Sequence, residues 1–260
     1  MRQSLILAIE TSSRIGSVAI AFGARRISET RFTGPLMHSV EIFPAVRGLL
    51  DLAGRVPGQI EQIYISRGPG SFTGLRIAAT VAKIMHLANA AKIITVDTLD
   101  IIASNVVRLT GGNARPVSDC QVLPAECERI AVILDAKRGQ FFIAVYELAP
   151  QGRSGDRTRE EHGDQIWKKT VPDSLMTISE FFNRFVGLRN PIGLLGDGLV
   201  YYKDKFKAEG VFFLDEEHWS PRASQVHLLG WQMALNGQFT DPLTLTPNYL
   251  RKPDVTLKSR

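Results

Sequence analysis

The chain has 260 residues, 44% hydrophobic and 22% charged, which is enough apolar material for a large core and excludes the composition of a disordered or fibrous protein. Its formal net charge of +5 admits an acidic partner such as RNA without demanding one, because lysine and arginine are dispersed apart from the C-terminal tail. Two cysteines, Cys120 and Cys127, imply neither a disulfide framework nor a four-ligand zinc site, and no run has the length of a membrane span, so a cytoplasmic protein is expected.

Residues 4–9 form a nearly continuous apolar run, the pattern of a strand buried on both faces. It ends at Glu10-Thr11-Ser12-Ser13, a hydroxyl-rich turn of the kind that presents donors to a phosphate or simply closes a hairpin. Ser17 to Phe22 reads as the return strand and Arg25 to Phe32 as a third. An amphipathic helix is expected over His38 to Ala53, with Val40, Phe43, Val46, Leu49, Leu50 and Ala53 on one side and Pro44 tolerated only near the first turn.

A strand over Ile60 to Ser66 leads into Arg67-Gly68-Pro69-Gly70-Ser71-Phe72-Thr73-Gly74-Leu75-Arg76 and an Ala-rich helix that runs to Ala88. Ser71 or Thr73 is the natural N-cap, and a glycine turn at a helix N-terminus can hold an anion or serve as a tight turn. No Gly-Lys-Ser/Thr closes it, so it is not a P-loop. Lys92 to Val96 is another buried-type strand, and Asp97 to Asp100 is expected to cap a helix reaching about Arg108.

The second half repeats this logic. Thr110 to Glu128 reads as a loop, Arg129 to Asp135 as a strand ending in an acid, 136–140 as a turn, and Phe141 to Glu147 as the return strand. Residues 151–165 are polar and read as an exposed loop; Ile166 to Val171 reads as a strand and Thr177 to Phe185 as a helix. Pro191 to Leu199 reads as a strand entering a glycine turn, and Ala223 to Asn236 as an amphipathic helix closed by Gly237. From Pro247 through Arg251, Lys252, Lys258 and Arg260 the chain reads as a basic extended tail.

Two halves, each a strand–turn–strand followed by strand–helix units, give an α/β fold with mixed sheets, similar to the actin-like, Hsp70-like ATPases of the ribonuclease H-like class. Residues 1–104 are expected to form the first domain and 105–260 the second, with the 223–236 helix able to pack back on the first. The segments Ile6 to Ser12, His38-Ser39 with Pro44, Gly68 to Arg76, Leu134 to Gly139 and Pro247 to Arg251 resemble, in the same order, the TsaB (YeaZ) family of glycoprotease-like proteins.

That resemblance implies a non-catalytic scaffold subunit of the machinery that makes threonylcarbamoyladenosine in tRNA. Its implied partners are a TsaD-like transferase and a TsaE-like ATPase, with tRNA met indirectly, no membrane contact, and a homodimer through the same helices as another expectation. The implied interface is His38, Ser39, Ile42, Phe43 and Val46 on the first helix, and Ser71, Phe72, Gly74, Leu75, Ile77, Ala78, Val81, Ala82 and Met85 on the second.

TsaD carries a His-x-x-x-His metal motif where this chain has Thr98 and Ile102, and acids in the first turn where this chain has Ser13, Arg14 and Ile15. No catalytic or metal-binding residue is therefore assigned, and no cofactor is required. Glu10, Thr11, Ser12, Asp135, Gly139, Gly196 and Gly198 are the remnant of a nucleotide site, with room for weak ATP or ADP binding. The competing reading is a stand-alone ATPase of this fold or a glycoprotease-like peptidase, for which the sequence marks out no Ser–His–Asp set, no His-Glu-x-x-His site and no base beside either cysteine. The five histidines, His38, His86, His162, His218 and His227, show no mutual ligand spacing.

Overall fold

In the computed structural model, which describes residues 4–34, 37–107, 121–122, 127–148, 167–187 and 190–251, the apolar runs become strands. β1 (Leu5–Glu10) is buried along its whole length and pairs antiparallel with β2 (Ser17–Phe22), which pairs antiparallel with β3 (Arg25–Arg31). β4 (Ile60–Gly68) and β5 (Lys92–Asp97) add parallel strands, giving the order β3-β2-β1-β4-β5. Parallel addition requires crossovers, and α1 (His38–Leu52) and α2 (Phe72–Asn89) supply them on one face. Leu5, Leu7 and Ile9 of β1 meet Ile42, Val46 and Leu49 of α1 and Ala78, Val81 and Ala82 of α2 there.

The expected helix after β5 is shorter than its periodicity suggests. α3 spans only Thr98–Ala103, and Asp97 makes no capping bond because its carboxylate is held by Arg67, Nε at 2.6 Å and Nη2 at 3.2 Å. α3 sends Ile101 towards the first sheet and Leu99 and Ile102 into the second core. A small parallel pair, β6 (Val106–Val107) and β7 (Gln121–Val122), follows.

The second sheet repeats the first. β8 (Arg129–Asp135), β9 (Gln140–Leu148) and β10 (Trp167–Thr177) are antiparallel neighbours, and β11 (Ile192–Leu195) and β12 (Val211–Phe213) add in parallel to give β10-β9-β8-β11-β12. α4 (Ile178–Phe185) opens with a capping box between Thr177 and Glu180, and packs Phe181 and Phe185 into this core. α5 (Leu199–Tyr202) follows the Gly196-Asp197-Gly198 turn. The α/β class and the doubled mixed sheets match the sequence expectation.

α6 (Ala223–Leu235) lies on the face of the first sheet opposite α1 and α2, where Ala223, Val226 and Leu229 meet Ile6, Ala8, Tyr64 and Ile94. Its first turn has no side-chain cap of its own. Ser17 Oγ accepts from the Ala223 N–H at 2.8 Å and Glu29 Oε1 from the Ser224 N–H at 3.1 Å, so β2 and β3 satisfy donors that a helix start leaves open. Gly230 is needed because a Cβ there would stand 2.5 Å from the Tyr64 ring.

Beyond α6 the chain is not a free tail. Leu245 is buried in the first core, the Asn248 N–H donates to the Arg67 carbonyl at 2.6 Å, and the Tyr249 ring lies 5.0 Å from Phe72. Arg251 Nη1 then donates to the Ala136 carbonyl at 2.7 Å, in the residue directly after Asp135. Cys120, His162, Lys252, Lys258, Arg260 and loop 151–165 lie outside the described residues. No described helix is long and apolar enough to cross a membrane.

Candidate functional site: a helix pair and a closed phosphate-type loop

α1 and α2 touch one another on the same sheet face and run parallel, because both begin at the turn that follows β1. The Ser71 N–H, at the N-cap of α2, donates to the Ser12 carbonyl at 2.7 Å, and Ser71 Oγ accepts from the Gly74 N–H at 3.3 Å. His38 Nε2, at the start of α1, donates to the Ser13 carbonyl at 2.9 Å. Burial holds the His38 pKa below the usual histidine value, so the ring is neutral.

The glycine turn before α2 therefore accommodates the chain's own loop. A Cβ on Gly70 would meet the Ser12 carbonyl at 2.4 Å, and one on Gly74 would meet the Thr11 carbonyl at 1.8 Å. Thr11 Oγ1 donates to the Gly74 carbonyl at 2.8 Å, while the Ser12 N–H and Oγ both donate to Glu10 Oε1. The hydroxyl donors of Thr11 and Ser12 and the Ser12 N–H are thus spent within the chain's own loops. Glu10 is fully buried, its Oε2 has no partner, and burial raises its pKa to about 7 against the opposing bonds from Ser12.

The second loop is organised in the same way. Asp135 Oδ1 accepts from the Lys137 N–H and Oδ2 from Lys137 Nζ, both at 2.7 Å. Lys137, Arg138 and Gly139 all have positive φ, which turns the loop outward. Gly196 and Gly198 do not face a ligand space: Cβ atoms there would sit 2.2 and 2.9 Å from the Ile133 carbonyl. They let the turn close on β8. Asp197 between them is raised to about 6 by burial and by the charge of Asp135.

The interface residues expected on the helix pair divide into two sets. His38, Ile42, Val46, Gly74, Leu75, Ala78, Val81 and Ala82 are buried within the chain's own fold. A partner cannot reach them, which corrects their assignment as contact residues. Ile77 and Met85 are half-buried, and Ser39, Phe43, Ser71 and Phe72 remain accessible. The expected inward stripe of α1 is also corrected: Val40 and Phe43 are 62% and 59% exposed, and Ile42 takes their place in the core.

The outward face so revealed carries Val40 and Phe43 on α1 and Ile84 and Leu87 on α2, the last 83% exposed. Periodicity missed Val40, Ile84 and Leu87 because an apolar residue on a helix is read as core by default. The signal was available in an excess: both helices carry more apolar residues than one stripe can bury. α1 also runs through Pro44 well past its first turn, a position where proline has no N–H to give the helix.

Residues matching the TsaD metal motif do not fit a metal. Thr98 and Ile102 are both fully buried, and Ile102 packs in the second core.

Residues 36–168 match the family model described as TsaD: tRNA N6-adenosine threonylcarbamoyltransferase. The chain is 26% identical over 257 residues to the tRNA threonylcarbamoyladenosine biosynthesis protein TsaB of Bacillus subtilis, covering 97% of this chain and 96% of that one. It is also 26% identical to the protein of that name from Escherichia coli, over 95% and 94% of the two chains. Two solved Pseudomonas aeruginosa structures share the fold. One, described as similar to peptidase YeaZ, has a TM-score of 0.72 at 22% identity, and the other, YeaZ, 0.70 at 23%; each covers 95% of this chain and 100% of its own. The chain belongs to the TsaD family, in the group of the TsaB (YeaZ) proteins.

Proposed function

We propose that the chain serves tRNA threonylcarbamoyladenosine synthesis as a non-catalytic subunit in the cytoplasm that docks a TsaD-type transferase on the outer face of α1 and α2. A TsaE-like ATPase joins the same assembly. The observation that carries this reading is the exposure of Val40 and Phe43 on α1 and of Ile84 and Leu87 on α2, two helices whose inner faces are already packed. Large apolar groups left exposed on neighbouring helices mark surface that is covered in use. Replacement of a metal-binding pair by the core residues Thr98 and Ile102 supports the non-catalytic role.

Gly48 provides the clean probe. It lies on the exposed side of α1, and a Cβ there meets nothing within 4 Å, so Gly48→Arg can obstruct a partner without disturbing the fold. Light scattering behind size exclusion is run on the chain alone, and mixed with the TsaD homologue of the same cell. A mixed species is expected with the wild type and is lost with Gly48→Arg and with Phe43→Asp, at unchanged melting temperature. A mixed species that survives both substitutions places the docking face elsewhere. A self-associated peak that Gly48→Arg dissolves, without any mixed species, assigns the stripe to a homodimer.

A further inference from the structure

Among the described residues the chain passes between the two sheets three times, and the passages are held differently. The first is made by α3, which sends side chains into both cores. Tyr146 Oη and Lys169 Nζ, from the second half, each lie 2.7 Å from Asp100 Oδ1 in α3. The second passage is the stretch between β12 and α6. Asn105, fully buried two residues past α3, fastens these two passages to one another: its Nδ2 donates to the His218 carbonyl at 2.8 Å and to the Ser220 carbonyl at 2.9 Å.

The third passage, Pro247 to Arg251, is different in kind. Leu245 anchors it in the first core, but every residue from Pro247 to Arg251 is half-buried and none lies in a helix or strand. The Asn248 N–H is bonded to the Arg67 carbonyl, and Gly68 makes room for it, since a Cβ there would stand 2.6 Å from the Asn248 carbonyl oxygen. Tyr249 lies on Phe72, a ring that also carries the Arg76 guanidinium at 4.4 Å. Leu250 then packs against the second core, and Arg251 Nη1 donates to the carbonyls of Ala136 and Lys137 at 2.7 and 3.3 Å. The stretch thus joins the turn that opens α2 to the turn between β8 and β9. Half-exposed contacts outside any ladder belong to the part of a fold that opens first.

Two passages fastened together at Asn105 leave the halves one place to pivot, and a tie elsewhere removes that freedom. We infer that Pro247 to Arg251 is a releasable clasp, which when seated keeps the turn after β1 closed against the turns after β8 and β11, and when released lets the halves pivot about Asn105. The walls of that cleft are Glu10, which senses the charge of Asp197, and Arg14, whose guanidinium lies 5.4 Å from the Tyr201 ring centroid.

The test is amide hydrogen exchange on the full chain, read by mass spectrometry over peptides carrying Ser12, Ala136, Gly198 and Asn248. Each of these N–H groups has a partner: Glu10 for Ser12, and the carbonyls of Gln140, Ile133 and Arg67 for Ala136, Gly198 and Asn248. Arg251→Ala and Tyr249→Ala should each speed exchange at all four by about tenfold, the shift in an opening equilibrium that losing a charge-assisted bond or a ring contact produces. Tyr249→Phe keeps the ring and should exchange as the wild type does. The double variant should exceed the faster single variant by less than about twofold, because both changes release one clasp. Peptides over β2 and β9 should stay as slow as in the wild type. Faster exchange confined to Asn248 would overturn the inference by making the stretch a passive tail. Unchanged exchange at Ala136 and Gly198, multiplied effects in the double variant, or equal acceleration in β2 and β9 would overturn it too, the last by showing a fold loosened throughout.

Discussion

Thr11 Oγ1 donates to the Gly74 carbonyl at 2.8 Å, fastening the turn after β1 to the first turn of α2 across 63 positions of sequence. The fit has no slack, because a Cβ on Gly74 would stand 1.8 Å from the Thr11 carbonyl. Gly74→Ala should therefore destabilise the chain by roughly 3 kcal/mol, at the upper end of overpacking effects, read as a lowered urea midpoint.

Glycine-to-alanine changes elsewhere in the helices should have opposite signs at two positions. Gly48 faces open space, and Gly48→Ala should gain about 0.5–1 kcal/mol from helix propensity. Gly230 admits the Tyr64 ring into α6, so Gly230→Ala should lose about 1–3 kcal/mol by overpacking despite the same propensity gain. Equal effects of the two substitutions would show that α6 does not press on Tyr64 in solution.

Glu10 and Asp197 should each make stability fall as pH rises from acid towards neutrality, against an opposing rise from His38 and His227, whose buried rings are held below the usual histidine value. In the folded chain Glu10 titrates at about 7 rather than 4.5, mainly through burial and with a contribution from Asp197. Asp197 titrates at about 6 rather than 3.8. The folded state thus holds protons that the unfolded state has already released, and the stability present below the unfolded pKa values is lost as pH climbs through the folded ones. For Glu10 alone the change amounts to about 3 kcal/mol. Glu10→Gln keeps the acceptor for Ser12 and should flatten most of this dependence, raising the urea midpoint near pH 8 more than near pH 5 by roughly that margin. A wild-type pH dependence that Glu10→Gln leaves unchanged would contradict the buried carboxyl.

Lys169 holds three carboxylates: Asp100 and Asp173 at 2.7 Å and Asp97 at 4.0 Å. Asp173 is the most buried of them, and one of its oxygens has no other partner. Lys169→Met should cost about 2–3 kcal/mol, below the full penalty for an orphaned buried charge because Asp97 and Asp100 retain some solvent. Asp173→Asn in the same background should recover part of the loss, and thermal melts of the single and double variants measure it.

The strands and the paired helices were legible because their patterns answer to one requirement each: burial on both faces for β1, and one inward stripe for α2. The site was less so. At α1, Val40 and Phe43 satisfy the same helical spacing as Ile42 and Val46, and only the packed sheet shows which set faces in. Asp97 has the composition of an N-cap, yet Arg67, thirty positions earlier, holds its carboxylate. The α6 cap comes from Ser17 and Glu29, a pairing that no local window contains.

The position of α6 also sets an order of assembly. On a ribosome, β1 to β5 and the helices on their other face emerge early, but Ile6, Ala8, Tyr64 and Ile94 stay uncovered until the whole second sheet has been translated. The nascent first sheet is therefore an apolar surface awaiting its lid. Slow passage through the second half would prolong that exposure, and a truncated product lacking α6 should be captured by chaperones or aggregate.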